Sequence, residues 1–544
     1  MKKGWLILVS LCLIGGLLAG CTTASEGTGG GEGDAGGKKI LTYSMGAEPG
    51  TLDSNKSVDD MSNEILFHIS EGLVRNINNE TKPGIAERWD VSDDGLTYTF
   101  YLRESVWSDG VPLTAHDFEY TFKRFLDPAT GSSFVEKVDA IVNAMAYNRG
   151  EITDASQVGV KALDDHTLEI KLEYPVPYFL VTIGSNSYFY PVRQDVVEEH
   201  GSNYAADADK IVTNGPFTLE RWNHEAEIRM VKNENYWNAD AIKLDGITQL
   251  IVPDSNTAAN MFDTGELDYL PSIPAALITS YPNAENSLAG GVQMLQFNLD
   301  GDTPESQPLM SNVNFRKALS YALNRNNIAA AIAPPGTEPA GRFVLPTFTS
   351  YLQEHPFEGV PLEGDEDKAR EYLQIALDEL GMSIDELPVI RYVGMDGRNR
   401  VYAEALQDAW VQVLGLNNIE IQILPVPQAI EATMNREYDI YLQSLTASRD
   451  VSELFDYWVA GGSVNWTGWD DEVYTEMYQE AMRIVDPAER DQALFEVEKY
   501  MFENGPLEPF MYVGNSYVVH DYVSGIIRSA VGAPSQMIYA DIAK

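Results

Sequence analysis

Cysteine is almost missing from this chain of 544 residues, which has two, Cys12 and Cys21, both near the N-terminus. The rest can hold no disulfide framework and no thiolate metal site, so its stability must come from core size. Histidine is sparse as well. The seven, at 68, 116, 166, 200, 224, 355 and 520, form no close pair, which argues against a dedicated local metal site. No His-Glu-x-x-His, Gly-x-Ser-x-Gly, Walker loop or Cys-x-x-Cys occurs. Asp53-x-Asn55-x-Ser57 begins like a calcium loop but has Val58 where glycine is required. These absences point away from an enzyme and from any metal or cofactor. Carboxylates abound, and glycoside hydrolysis would need two of them at a defined separation, a property of space rather than of sequence. Basic side chains are scarce, 37 against 82 acidic, for a net charge of −45. Such a surface repels phosphate backbones, which excludes nucleic acid as a natural partner. It attracts cationic solutes only weakly, because exposed charges are screened over about 10 Å.

What is present begins with an export signal. Lys2 and Lys3 form a positive start, and Trp5 to Ala19 form an apolar run of 15 residues. A membrane span needs about 20, so the run fits a signal peptide instead. It ends in Leu18-Ala19-Gly20-Cys21, which resembles the bacterial lipobox. That resemblance implies cleavage before Cys21, diacylglycerol on its thiol, and a protein anchored on the extracytoplasmic face of the cell membrane. Residues 1–20 are then the signal peptide and 21–39 a glycine-rich tether, which cannot bury apolar area and behaves as a flexible coil. Gly31-x-Gly33-x-x-Gly36 in the tether matches the dinucleotide fingerprint by letter, but no strand precedes it and no helix pattern follows.

From Ile40 onward, strand and helix patterns interleave. Hydrophobic residues make up 44% and charged residues 22%, which excludes disorder of the whole chain. Leu96, Tyr98, Phe100 and Leu102 alternate with polar neighbours, as do Leu168, Ile170 and Leu172, and both read as half-buried strands. Thr114 with Asp117 three residues on forms a near capping box, followed by Phe118, Phe122, Phe125 and Leu126 on one helical face. Phe315, Ala318, Leu319, Ala322 and Leu323 mark another helix; so do Leu406, Ala409, Trp410, Val413 and Leu414, with Gly415 placed to end it. The alternation predicts an α/β chain.

Three blocks carry more than secondary structure. Pro83-Gly84-Ile85-Ala86-Glu87-Arg88-Trp89 leads into Asp94-Gly95-Leu96-Thr97-Tyr98-Thr99-Phe100, then Trp107-Ser108-Asp109-Gly110 and Pro112-Leu113-Thr114-Ala115. Asn214-Gly215-Pro216-Phe217 is followed by Asn233-Glu234-Asn235-Tyr236-Trp237, and the third block is Asn314-Phe315-Arg316-Lys317-Ala318-Leu319 through Asn324-Arg325. Weaker matches are Lys368 to Leu373 and Tyr438-Asp439-Ile440. Together they closely resemble solute-binding protein family 5, the oligopeptide/dipeptide-binding lipoproteins of ABC importers.

That resemblance implies a two-lobed periplasmic-binding-protein-like fold, type II and cluster C-like, with an extra subdomain inserted in lobe I. Lobe I is expected at 40–76, 205–292 and 510–544, the inserted subdomain at 77–204, and lobe II at 293–509. The hinge is expected at Met294 to Asn298 and Leu507 to Met511. The implied function is capture of an oligopeptide between the lobes and delivery to membrane permease subunits, by a monomer. A non-peptide solute such as an oligosaccharide or metal chelate, or a peptide-sensing receptor, are the alternatives on the same fold. Family members pair a lobe II aspartate, in a segment reading Ala-Asp-Tyr, with the peptide ammonium. Here Ser448 and Arg449 stand at the Asp and Tyr places, with Asp450 one further along. Asp450 is the candidate replacement, and Arg449 could instead favour a carboxylate. Glu48, Pro49 and Thr51 resemble the first-lobe loop lining the cleft, and Asn465, Trp466 and Thr467 the lobe II loop facing the ligand. Trp458, Trp466 and Trp469 read equally well as core or rim.

Overall fold

The computed structural model describes residues 38–543 except 79, 302–304, 396–397, 447–449, 463 and 531. Cys21, the signal and the tether therefore lie outside the described residues, as do Ser448 and Arg449. One large mixed sheet runs through the molecule. Its strands lie in the order Ile419–Leu424, Ile390–Met395, Ile440–Thr446, Glu285–Phe297, Leu507–Val519, Tyr269–Leu270, Ile40–Met45, Gly246–Ile251, Glu227–Lys232 and Phe217–Asn223. A second sheet of four antiparallel strands, Ala86–Val91, Thr97–Leu102, Thr167–Lys171 and Val160–Asp164, stands apart.

The fold is two-lobed, and two strands join the lobes. Glu285–Phe297 and Leu507–Val519 have 13 residues each and pair antiparallel. At about 3.3 Å per residue each spans roughly 40 Å, long enough to serve both lobes. Their C- and N-terminal halves respectively pair Met294 with Pro509 and Leu295 with Glu508; Leu295 packs in a core with Phe315, Leu406 and Trp410, and Met294 in another with Val344 and Trp458. Register breaks lie between Leu288 and Gly291 and between Gln293 and Met294. Bulges there bend the ribbon where it leaves the packed core.

Separate cores fill the units. Leu41, Tyr43, Phe217, Ile228 and Ile247 pack with the returning C-terminal segment at Met537 and Ile538. Phe100, Phe118, Phe122, Leu168 and Ile170 form the core against the four-stranded sheet. The helix Ala115–Leu126 starts as its sequence dictates, with the Thr114 amide donating to Asp117 at 2.8 Å. Val313–Tyr321 and Arg398–Leu414 are helices, and Gly415, at φ +74°, ends the second. Trp458 and Trp469 are core residues beside Tyr474 and Leu494.

The sequence blocks turn out to be joints. Asn214 and the backbone of Glu71 exchange two hydrogen bonds, at 3.0 and 2.8 Å. A Cβ on Gly215 would lie 2.4 Å from the backbone at Ile69 and Ser70, so only glycine fits. Arg316 donates to the carbonyls of Asn504 and Gly505, and Arg325 to Pro509, which fixes the start of the 507–519 strand. Among the described residues no helix is long and apolar enough to cross a membrane.

Candidate functional site

Two adjoining cavities open between the lobes. The inner one, about 430 Å³, is lined by Asn63, Asn186 and Arg528 from the first lobe and Thr446 and Glu453 from the second, with Asn515 on the connecting ribbon. The outer one, about 560 Å³, lies between Asp139, Tyr174 and Thr182 on one wall and Asp456, Tyr457 and Tyr478 on the other. Lys137, Glu453 and Tyr457 line both, so the two are continuous. Their sizes fall in the range of small-ligand sites, which run from about 300 to 1,000 Å³.

Each side chain is placed by its local fold. The short helix Glu453–Asp456 buries Leu454 and Phe455 and turns Glu453, Asp456 and Tyr457 toward the cleft. Arg528 is held by hydrogen bonds: Nη1 donates to the Tyr269 hydroxyl and Ser535 Oγ at 2.7 Å each, and Nη2 donates to Asn515 at 3.2 Å. Behind it Glu64 accepts from the Tyr43 hydroxyl at 2.6 Å and from the Ser535 amide at 3.1 Å. Burial pushes the Glu64 carboxyl up, opposed by those hydrogen bonds and by the Arg528 charge. His68, next in this layer, faces the Glu64 carbonyl through Nδ1 at 2.6 Å and accepts the Met537 amide at Nε2, 3.0 Å. That arrangement suits a neutral ring, and burial holds its pKa down to about 4.

The outer cavity is acidic. Among its described lining residues Glu136, Asp139, Glu453 and Asp456 face a single basic side chain, Lys137. Tyr174 lines the cavity on the Asp139 wall and Tyr478 on the Asp456 wall. Asp456 keeps solvent access along the cleft, yet the surrounding walls push its carboxyl up, and Asp139 and Glu453 add to that effect.

The residues singled out from sequence occupy other places. Glu48 accepts from Trp222 Nε1 at 2.9 Å and the Glu225 amide at 3.0 Å and meets His224 Nδ1 at 2.6 Å, tying the loop to the hairpin of Phe217–Asn223 and Glu227–Lys232. That contact holds the His224 imidazole above its usual range. Pro49 is buried, and Thr51 Oγ1 accepts from the Asp53 amide. Asp450 pairs with Arg490 at 3.1 Å and caps Ser452, so a ligand ammonium would have to share it. Asn465 and Thr467 are brought together, Thr467 Oγ1 donating to Asn465 Oδ1 at 2.6 Å, and Trp466 is half-buried with its carbonyl accepting from Tyr438. None of these residues lines the two cavities described above. Sequence reasoning missed Arg528, Asp456, Tyr478 and Asp139. The pattern around Leu454, Phe455 and Trp458 carried a usable signal, since one buried face implies that Asp456 and Tyr457 lie on the other.

A two-lobed fold with its cavities between the lobes defines a ligand-capture protein. Residues 80–466 match the model of bacterial extracellular solute-binding proteins, family 5 Middle. The chain is 30% identical over 548 residues to the oligopeptide-binding protein OppA of Bacillus subtilis, covering 98% of each. It is 30% identical over 555 residues to the dipeptide-binding protein DppE of the same organism, again covering 98% of each. Among solved structures, an oligopeptide ABC transporter substrate-binding domain from Bacillus anthracis aligns with a TM-score of 0.70 at 28% identity, over 94% of this chain and 99% of that one. This chain belongs to the extracellular solute-binding proteins of family 5.

Proposed function

We propose that the chain captures oligopeptides in the interlobe cleft and delivers them to the permease of an ABC importer. The observation that carries this reading is the pair of continuous cavities lined from both lobes, one of them lined by Thr446 at the end of the Ile440–Thr446 strand. A peptide entering there meets backbone groups along its length, and main-chain hydrogen bonding accepts many sequences. The two curated relatives, named for oligopeptide and dipeptide binding, support the same solute class.

Closure follows from the architecture. Lobe I comprises 40–76, 205–292 and 510–544, the inserted subdomain 77–204, and lobe II 293–509; the hinge, expected at Met294 to Asn298 and Leu507 to Met511, is proposed instead at the bulge near Leu288 to Gly291, because Leu295, Phe297 and Phe510 are packed in a core. A ligand touching both walls favours the closed form by its extra contacts there. Ser448, Arg449 and Asp450 are the proposed ligand contacts from the second lobe, and Cys21 the proposed lipid-bearing residue that holds the protein at the outer face of the membrane.

Native purification of the mature protein followed by mass spectrometry of what it carries tests the reading. A set of short peptides is expected; a sugar, a metal chelate or another solute would replace it. Cys21→Ala is expected to release the protein into the medium, and unchanged membrane retention would dismiss the anchor.

A further inference from the structure

Among its described lining residues the outer cavity carries four carboxylates, Glu136, Asp139, Glu453 and Asp456, against one lysine, Lys137. Asp139 stands on the wall of the inserted subdomain and Asp456 on the opposite wall. Their charges already act on one another across the gap. Closing the lobes would bring like charges together as water leaves, and repulsion grows as the dielectric falls. Something positive between them would reverse the sign of that interaction.

The remaining lining describes what. Tyr174, Tyr178 and Tyr478 surround the space. Aromatic faces suit both the methylenes and the charged end of a long cationic side chain. Thr182 is 2% exposed and lines the same cavity, and its hydroxyl has no hydrogen-bond partner among the described residues. A buried hydroxyl without a partner is costly unless a ligand supplies one. An ammonium or guanidinium N–H would do so.

We infer that the outer cavity is a subsite for a basic side chain of the bound peptide, a lysine or an arginine, held between Asp139 and Asp456. This rests on the peptide reading and adds a preference to it. The cleft then favours peptides with a positive residue at one position, and that residue helps to draw the lobes together.

The test uses the mature protein, freed of endogenous ligand, and calorimetry with short alanine-based peptides. Lysine, norleucine or glutamate is placed at each position in turn. At one position lysine is expected to bind at least about tenfold more tightly than norleucine, with glutamate weakest. Asp456→Asn and, independently on the other wall, Asp139→Asn are each expected to cut the lysine-to-norleucine ratio to below about threefold. No preference at any position, or a ratio unchanged in both variants, overturns the inference. Peptides that bind without charge preference remove this subsite alone; binding by none removes the peptide reading with it.

Discussion

Glu71 and Asp456 are both carboxylates among tyrosines; Glu71 is buried and Asp456 is open to the cleft, and they differ in where the positive charge comes from. Glu71 is satisfied from within: Arg75 Nε donates at 3.0 Å and the Tyr236 hydroxyl at 2.9 Å, and Trp237 Nε1 donates to its other oxygen. Arg75 goes on to bond the carbonyls of Phe67 and Ser70, so the positive charge is part of the fold. At Asp456 a tyrosine is present and Lys137 lends some positive charge, but two further acids, Asp139 across the cleft and Glu453, oppose it, and the carboxyl stays pushed up. A carboxylate that brings its own arginine builds structure. One that meets another carboxylate across a cleft is set up for a cation from outside.

The largest effect should come from breaking the first arrangement. Glu71→Leu leaves Arg75, which is 2% exposed, without its charge partner. A loss of about 3–5 kcal/mol is expected in urea unfolding. A loss below about 1 kcal/mol would mean that the knot is not structural.

Acid should act on the layer behind Arg528. The His68 pKa of about 4 in the fold lies below the 6.5 of an ordinary imidazole, so the unfolded chain takes the proton first. The His68 contribution is therefore complete above pH 6.5 and is lost as pH falls toward 4. At roughly 1.4 kcal/mol per pH unit this amounts to about 3 kcal/mol. Comparing the pH dependence of unfolding with His68→Gln measures it; parallel curves between pH 7 and 4 would contradict the buried neutral ring.

Gly215→Ala should cost about 1–3 kcal/mol, because the added methyl meets backbone rather than a side chain that can move. A neutral outcome in thermal unfolding would show that the 69–70 segment can shift. The smallest stability effect belongs to the cleft: Asp456→Asn should stay within about 0.5 kcal/mol of the parent. A large loss there would make Asp456 a second Glu71 and abolish the contrast.

The architecture was readable from sequence because its determinants are local. Tyr98 and Phe100 alternate with their neighbours, Asp117 reaches Thr114 three residues away, and Gly415 sits at a helix end. The cleft was not, because Asp139 and Asp456 are over 300 positions apart and meet only through the fold. Glu48 shows the opposite problem. Its loop was identified by likeness, yet its carboxylate is engaged with Trp222 and His224 on its own lobe. A motif shows which chain segment lies near a cleft; hydrogen bonds show which atoms remain available to a ligand.

The most direct test is a calorimetric titration of ligand-free mature protein with defined short peptides at two temperatures. Capture between closing lobes predicts saturable one-to-one binding with a negative heat-capacity change, as apolar surface leaves water. No binding heat with any peptide, alongside saturable binding of an oligosaccharide or a metal chelate, would contradict peptide capture.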